Sequence, residues 1–584
     1  MDPDPSKARP LLDLAEEWLS QDRDPTTRQQ IASLLANKDY SQLGGLLIPR
    51  IAFGTAGLRA RMSAGYARMN CLTVLQASQG LAAYLLSSSA SQTGQSGQLS
   101  IVVGHDARHN SARFARLAAG AFVAKGLKVF WLGQCHTPLV PYVVGRQGAG
   151  AGVMVTASHN PKDDNGYKVY WGNGCQIIPP VDRGIAESID ANLEVEIWDE
   201  GVVEAGKVER LEGLQAEYVE KVVGAVKWDG GDGEVQGFTY TAMHGVGMEV
   251  VDKVLTRMRL REKVHVVRSQ AQPDPEFPTV KFPNPEEKGA LDEAIRTATE
   301  AGDRLIVAND PDADRFAAAE LVSEKWTQLT GNQLGVLLGA HVLETMVIQN
   351  GDKFAMLASA VSSRMLAKMA EASGKFRFEE TLTGFKWLGN KAQELNKQGY
   401  KALYAYEEAI GFMLSDVVYD KDGVAALALF LTAVRKWQAE GLTPWTKLQQ
   451  LYETYGHFAE ANTYLVSPSP DTTRAVFQAV RSANPQTVGS RKILRWRDLT
   501  EGHDTATTDN VPTLPVDKSA QMITCELERG VVFTVRGSGT EPKIKLYVEG
   551  TASSAEDARA AAHEVCQQLI QEWFKPEANN LRVA

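Results

Sequence analysis

The amino-acid sequence predicts an α/β fold: three consecutive mixed α/β domains with similar βα-layered sheets, then a smaller C-terminal α+β domain, set around a central cleft. Three observations carry this expectation. Apolar runs of strand length alternate with amphipathic segments of helix length over residues 99–406, the pattern that builds sheets covered by helices. The alternation restarts twice, near Phe238 and near Gly331. Beyond residue 455 strand-like runs follow one another with only two helices among them, an α+β layout. Length agrees, since 584 residues correspond to about three or four domains of ~150 residues. The boundaries read as 1–225, 226–330, 331–454 and 455–584.

Taken in order, residues 10–46 read as helices. Leu11, Leu12, Leu14, Ala15 and Leu19 form one apolar stripe and Ile31, Leu34 and Leu35 another, with a break at Asp24-Pro25. The loop 53–59 offers Gly54 and Gly57 for close backbone approach and Arg59 as a forked donor. Residues 99–104 read as a strand ending in Gly104-His105-Asp106-Ala107-Arg108, 111–126 as a helix opened by Ser111, 127–132 as a strand and 138–148 as a helix. Residues 149–155, small and apolar, read as a buried strand that opens into Thr156-Ala157-Ser158-His159-Asn160-Pro161; 167–171 resume as a strand. A mostly parallel sheet follows from the βαβα order. The second block reads strand 238–241, helix 247–260, strand 264–267, helix 286–302 and strand 305–308. The third reads helix 332–347, strand 354–358, helix 362–373, strand 376–379, helix 385–395 and strand 402–406. In the last block 459–466, 522–526, 531–535 and 544–548 read as strands and 554–574 as a long amphipathic helix, while polar, Thr-rich 499–519 reads as a mobile surface loop.

Composition narrows the class. Apolar residues are 44% and charged residues 23%, ordinary for a soluble globular enzyme. A net charge of -10 and pI near 5.6 disfavour a general electrostatic hold on nucleic acid. Cys71, Cys135, Cys175, Cys525 and Cys566 are far apart, odd in number and form no CxxC pair, which argues against a disulfide framework or a zinc site and for a reducing compartment. The first residues lack the layout of a signal peptide, and the longest apolar run, 424–434, is too short to span a bilayer. A cytoplasmic location is expected.

Four regions, each just after a strand, hold the chemistry-bearing residues, and in open α/β sheets that end is where ligands bind. Ser158 stands where a strand opens into a loop, with His159 beside it. The strand fixes the backbone while the loop exposes the oxygen, which suits a nucleophile; a Ser/Asn-rich turn is the plain alternative. Asp310, Asp312 and Asp314, followed by Arg315, place three carboxylates at alternate positions for a hard cation such as Mg²⁺. An EF-hand spaces acids similarly, but Arg315 stands where it needs Gly and Leu321 where it needs Glu, which disfavours calcium of that kind. Thr383-Gly384-Phe385-Lys386 and Tyr406-Glu407-Glu408-Ala409-Ile410-Gly411 form the third region, with Lys421 adding a cation nearby. Paired acids accept hydrogen bonds from sugar hydroxyls or hold a general-acid proton. Arg536-Gly537-Ser538-Gly539-Thr540-Glu541-Pro542 has the composition of a phosphate cradle, a Gly-rich hairpin being the alternative. It is no Walker A loop, and neither a kinase signature nor a Gly-x-Ser-x-Gly elbow is present. A Ser accompanied by metal ligands, with no nucleotide site, suggests that the Ser itself carries a phosphoryl group.

These four regions, in this order, resemble the α-D-phosphohexomutase family, the phosphoglucomutases and their relatives. The runs 156–161, 310–315 and 536–542 are specific together, and the likeness spans nearly the whole chain. Residues 406–411 and 163–168 are similar to the phosphopentomutase (phosphoribomutase) branch. The commoner family loop reads Gly-Glu-x-Ser; here Tyr406 stands for Gly and Ala409 for Ser, one hydroxyl ligand for a hexose is missing, and strict glucose specificity is not expected. The resemblance implies a phosphosugar mutase, an isomerase that moves phosphate between C1 and C5 of ribose or deoxyribose and also between C1 and C6 of glucose. It implies a phosphorylated Ser158, Mg²⁺ on Asp310, Asp312, Asp314 and a Ser158 phosphate oxygen, and a sugar bisphosphate (glucose 1,6-bisphosphate or ribose 1,5-bisphosphate) as activator. Arg59, His159 and Lys168 are implied to stabilise charge and move protons. Arg315, Gly384, Lys386, Glu407, Glu408 and Lys421 would hold the sugar, and Arg536, Ser538, Gly539 and Thr540 the non-reacting phosphate. The alternatives are a phosphoglucomutase proper, a glucose-1,6-bisphosphate synthase and a non-catalytic phosphosugar-binding scaffold. The expected partner is a small phosphosugar, with no nucleic acid or membrane, for a monomeric chain.

Overall fold

Connection length decides strand direction in this protein. The strand Ala151–Val155 is buried at every position, as a strand covered on both faces is. Ser100–His105 lies between it and Lys128–Gln134, parallel to both, and the helices Ser111–Ala124 and Leu139–Gln147 make the crossovers. The sheet then departs from the mostly parallel arrangement expected. Asp164–Trp171 runs antiparallel to Ala151–Val155, and Leu58–Arg61 antiparallel to Asp164–Trp171. Residues 156–163 are fewer than the dozen or so that a parallel crossover needs, so the chain must double back. The second sheet repeats the device: Phe238–Thr241 is parallel to Val264–Val266 and Leu305–Asn309, while Phe316–Val322 returns antiparallel after the short turn 310–315. The Ser158 and Asp310 loops thus occupy corresponding hairpin returns of two similar sheets.

The structure is a computed structural model that describes residues 5–54, 57–90, 98–228, 235–349, 351–538 and 542–583. It comprises two units, Met1–Leu338 with Phe385–Gly441, and Gly339–Gly384 with Leu442–Ala584. In the first unit the N-terminal segment forms three helices, Pro5–Gln21, Pro25–Ala36 and Tyr40–Leu47. Asp24 caps the second by accepting from the Thr26 and Thr27 amides, a contribution of about 1 kcal/mol. These helices share a core of Trp18, Ile31, Leu43, Leu47, Tyr66 and Leu72. A helix absent from the sequence-based expectation, Cys71–Ala90, lies against Ser111–Ala124 in the main core with Leu75, Leu81, Phe114 and Phe122. The helix expected over 286–302 forms only as Asp292–Ala301. Pro273, Pro275, Pro278, Pro283 and Pro285 keep the preceding residues 271–291 irregular, because Pro lacks the amide a helix interior needs. Lys401–Glu407 and Gly411–Leu414 form an antiparallel hairpin. The apolar run at 424–434 lies inside the helix Gly423–Ala439, buried on nearly all sides and capped by Asp422.

The second unit pairs Phe354–Ser359 with Arg377–Thr381 in parallel. Its antiparallel sheet contains Arg491–Asp498, Met522–Leu527, Val531–Gly537, Lys543–Ala552 and Thr463–Val466. Helix Ala555–Gln568 continues as a π-helical turn, Leu569–Phe574, and Phe477, Phe533, Ile544 and Trp573 fill the core. Residues 499–519, expected to be a mobile loop, are instead docked. Leu499 and Leu514 are buried with Ala360, Val361 and Met522, and Arg495 donates to both Asp504 oxygens at 3.0 and 2.7 Å. Polar composition masked two apolar anchors. Arg497, 1% exposed, grips Glu380 through both terminal nitrogens at 2.6 and 3.2 Å, tying Arg377–Thr381 to Arg491–Asp498. Among the described residues no helix is long and apolar enough to cross a membrane.

Candidate active site

Ser158 sits in the left-handed region, with φ +53°, a conformation that costs a non-glycine residue about 1 kcal/mol or more. Neighbouring side chains hold it there. The Ser158 amide donates to Thr156 Oγ1 at 2.9 Å, and that hydroxyl donates to Asp106 Oδ2 at 2.6 Å. Arg108 donates to the Ser158, Asn160 and Pro161 carbonyls at 2.5, 2.7 and 2.9 Å. The Ser158 hydroxyl is 3% exposed as a residue; Oγ donates to Asp310 Oδ2 at 2.9 Å and lies 3.3 Å from His159 Nδ1.

The three aspartates converge because their turn is tight. Ala313 has φ +56°, the Arg315 amide donates to Asp310 Oδ1 at 3.0 Å, and Asn309 Nδ2 donates to the Arg315 carbonyl at 2.6 Å. Thr137 reaches across from the first sheet, its amide donating to the Asp312 carbonyl at 2.9 Å and its hydroxyl to Asp312 Oδ2 at 2.6 Å. One carboxylate oxygen from each of Asp310, Asp312 and Asp314 lies within 4.8 Å of the others, all buried. Lys168 Nζ donates to Asp312 Oδ2 and Asp314 Oδ2, both at 2.7 Å, and Lys421 Nζ is 3.4 Å from Asp314 Oδ2. Among the described residues Asp312 Oδ1 and Asp314 Oδ1 are buried without a hydrogen-bond partner. Such an orphan costs about 1–3 kcal/mol, more when charged. An all-oxygen donor set with two unsatisfied oxygens fits a hard divalent cation such as Mg²⁺.

Electrostatics divides the trio. Burial, then Asp312 and Asp314, push the Asp310 carboxyl well above the usual range. Burial also works against Asp312 and Asp314, but Lys168 holds Asp312 low, and Lys168, Lys421 and Arg315 hold Asp314 low against its neighbour Asp312. Desolvation alone would lower the Lys168 and Lys421 ammoniums; the carboxylates around them carry both above their ordinary value. Burial, with Arg315 and Arg59 nearby, pushes the His159 imidazole well below its ordinary value.

The other expected residues fall as follows. Arg59, exposed on Leu58–Arg61, reaches Asn160 Oδ1 at 3.3 Å and feels Asp312, Asp314 and Arg315. Arg315 is surrounded by Asp310, Asp314, Glu286 and Glu407, which keep it charged despite its burial. Glu407 is buried and acts on both Arg315 and Lys421. Glu408 is held from behind: a Cβ on Gly331 would lie 1.8 Å from the Glu408 carbonyl oxygen. Tyr406 is a core residue, its ring stacked on Tyr404 and against Gly335. Lys421 lies over the Phe385 ring, and Lys386 stands at the start of Phe385–Lys397. In the second unit Gly384 has φ +110°, Arg536 donates to the Tyr547 hydroxyl at 3.1 Å, and the Ser538 amide donates to the Lys543 carbonyl at 2.8 Å. Gly539 and Thr540 lie outside the described residues. Asp106, Arg108, Thr137 and Thr156 shape the site and were not singled out from the sequence. Gly104-His105-Asp106-Ala107-Arg108 did carry the signal used elsewhere, polar residues closing a strand.

Comparison with known proteins identifies the family. Four family models match in succession: phosphoglucomutase/phosphomannomutase alpha/beta/alpha domains I, II and III over residues 50–196, 216–322 and 330–455, and the C-terminal domain over 501–567. A Schizosaccharomyces pombe protein named "Probable phosphoribomutase" is 45% identical, covering 98% of this chain and 99% of its own. The Saccharomyces cerevisiae phosphoribomutase is 43% identical over 98% and 97% of the two chains, and the Homo sapiens phosphopentomutase 39% identical over 97% and 96%. Among solved structures, a phosphoglucomutase/phosphomannomutase family protein from Burkholderia thailandensis shares the fold, with a TM-score of 0.65 at 17% identity over 90% of this chain and 98% of that one. Four family models in succession and relatives matched along nearly the whole chain show that the chain belongs to the phosphoglucomutase/phosphomannomutase family, the α-D-phosphohexomutases.

Proposed function

We propose that this phosphosugar mutase interconverts the C1 and C5 phosphates of ribose and deoxyribose, with C1 and C6 of glucose as a secondary pair, and that Ser158 carries the phosphoryl group between them. The pentose preference is supported by relatives named phosphoribomutase and phosphopentomutase and by Ala409 standing where a hydroxyl would serve a hexose. The observation that carries the Ser158 assignment is its Oγ, 2.9 Å from Asp310 Oδ2, within a carboxylate trio that has two orphan oxygens.

In this reading the substrate's free hydroxyl attacks the Ser158 phosphoryl group. The new oxygen–phosphorus bond to the sugar forms as the Ser158 Oγ–phosphorus bond breaks. The hydroxyl proton ends on Ser158 Oγ by way of His159 Nδ1, which lies 3.3 Å from that oxygen. The bisphosphorylated sugar turns end for end and returns its other phosphoryl group to Ser158. Asp310, Asp312, Asp314 and the phosphoserine would hold Mg²⁺, which supplies Lewis-acid polarisation of the phosphoryl oxygens. Arg59 and Lys168 balance the charge of the group in flight. Arg315, Gly384, Lys386, Glu407, Glu408 and Lys421 are assigned to the sugar. Arg536, Ser538, Gly539 and Thr540 are assigned to the non-reacting phosphate on their composition. A sugar bisphosphate primes Ser158, and the enzyme is taken to act as a cytoplasmic monomer with domains at the boundaries read from the sequence.

The test is a comparison of kcat/KM for ribose 1-phosphate, deoxyribose 1-phosphate and glucose 1-phosphate on one preparation, with 1,3-bisphosphoglycerate as an alternative donor. The pentose phosphates are expected to lead. A lead for glucose 1-phosphate refutes the preference, and bisphosphate formation from 1,3-bisphosphoglycerate outrunning mutase turnover favours a synthase.

A further inference from the structure

One buried cation under the Ser158 loop has no part in the scheme above. Arg108 is 4% exposed and follows the strand Ser100–His105. Its guanidinium donates to four carbonyls of the loop: Ser158 at 2.5 Å, Asn160 at 2.7 Å, Pro161 at 2.9 Å and Asp164 at 3.4 Å. Asp106 anchors it from below, with Oδ2 3.3 Å from Arg108 Nε and Oδ1 accepting the Arg108 amide at 3.0 Å. The same Asp106 accepts from Thr156 Oγ1, the group that fixes the Ser158 amide. From above, the Phe277 ring covers the guanidinium, 5.0 Å from Cζ to centroid. Phe277 is buried and belongs to the Pro-rich stretch 271–291. Glu276 fastens that stretch to the Ser158 loop and to the turn after Ser100–His105, accepting from Lys162 Nζ at 2.7 Å and His109 Nε2 at 2.6 Å.

A buried guanidinium is costly unless it is paired and hydrogen-bonded; Arg108 spends both terminal nitrogens on loop carbonyls and sets Nε against the Asp106 carboxylate. The left-handed turn at Ser158 folds the loop so that several carbonyl dipoles point at one spot. Only a planar fork can answer them together; a Lys ammonium cannot span them. We propose that Arg108 is a positioning residue that aims Ser158 Oγ at the incoming sugar hydroxyl, with Phe277 sealing it so that the phosphoryl group passes to sugar and not to water. This rests on Ser158 being the phosphoryl carrier.

The test uses the full-length enzyme carrying Arg108→Lys. The expected result is a kcat lower by about 100-fold, the scale of a 1 Å misplacement, a KM close to wild type, and more inorganic phosphate released per sugar turned over. Guanidinium added to Arg108→Ala is expected to restore part of kcat and to lower phosphate release; the split of kcat from KM and the released phosphate are what a merely structural role would not produce. Wild-type kcat and wild-type phosphate release in Arg108→Lys overturn the proposal. Should Arg108→Lys fail to fold, Phe277→Leu leaves all four hydrogen bonds in place and decides the sealing role: increased phosphate release supports it, unchanged release overturns it. Intact mass of the wild type keeps the two levels apart, because absence of phosphoserine at 158 overturns the carrier assignment, whereas its presence with an indifferent Arg108→Lys overturns only the role given to Arg108.

Discussion

Replacing Lys168 by Met tests the electrostatics of the site, because Met keeps an unbranched stem of similar bulk, one atom shorter, and removes the charge. In the folded protein the Lys168 ammonium sits 2.7 Å from one oxygen each of Asp312 and Asp314, all three groups being buried. Removing one partner of a buried, hydrogen-bonded ion set typically costs about 3–5 kcal/mol, because charge is left uncompensated. For a large domain that corresponds to a melting temperature lower by roughly 5–10 °C in EDTA. A divalent ion on the same carboxylates should offset much of this. At a concentration about 100 times its Kd it adds ~2.7 kcal/mol to the wild type, and it should add more to Lys168→Met, where one competing cation is gone. The assay is a thermal melt of both proteins with EDTA and with a Mg²⁺ series. The account predicts a variant that is destabilised in EDTA and gains more than the wild type from Mg²⁺. Equal melting in EDTA, or equal Mg²⁺ shifts, would refute the reasoning.

Three further outcomes are expected. In the second unit burial opposes the Glu380 carboxylate, but Arg364 and Arg497 outweigh it and hold it down to about 2. A depressed carboxyl contributes stability above its unfolded value, lost as pH falls from about 4.5 towards 2, so Glu380→Gln should flatten the acid limb of the stability curve. Arg497→Met, with its bidentate partner left behind, should cost about 3–5 kcal/mol by denaturant titration. Gly331→Ala would place a Cβ 1.8 Å from the Glu408 carbonyl oxygen, so the backbone carrying Glu408 must move; kcat/KM should fall by about tenfold or more, while a wild-type value would show that Glu408 does not need its present position.

Much of the fold was legible because its signals are local. The strand Phe238–Thr241 and the start of the helix Phe385–Lys397 match the expected elements, since alternation and strand-closing polar residues lie within a few positions of one another. The helix Cys71–Ala90 was not legible, because a helix buried on nearly all sides shows no apolar stripe to read. The antiparallel returns at Asp164–Trp171 and Phe316–Val322 followed from connection length, a quantity overshadowed by the βαβα count. Residues 499–519 were misread because Leu499 and Leu514 anchor a segment whose average is polar. At the site, Ser158 and the aspartates announce themselves through side-chain chemistry. Arg108 acts on backbone carbonyls and Thr137 on a residue of another sheet, relations that pair residues far apart in sequence and leave no local pattern.

The central claim is that Ser158 lends and recovers a phosphoryl group, and phosphoryl mapping during turnover tests it most directly. The enzyme is primed with isotopically labelled ribose 1,5-bisphosphate, digested, and its phosphopeptides sequenced before and after a chase with unlabelled ribose 5-phosphate. The account predicts label on Ser158 alone, transfer of that label to sugar in the chase, and neither label nor mutase turnover in a folded Ser158→Ala protein. Label on another residue, or Ser158→Ala turning over at the wild-type rate, would contradict it.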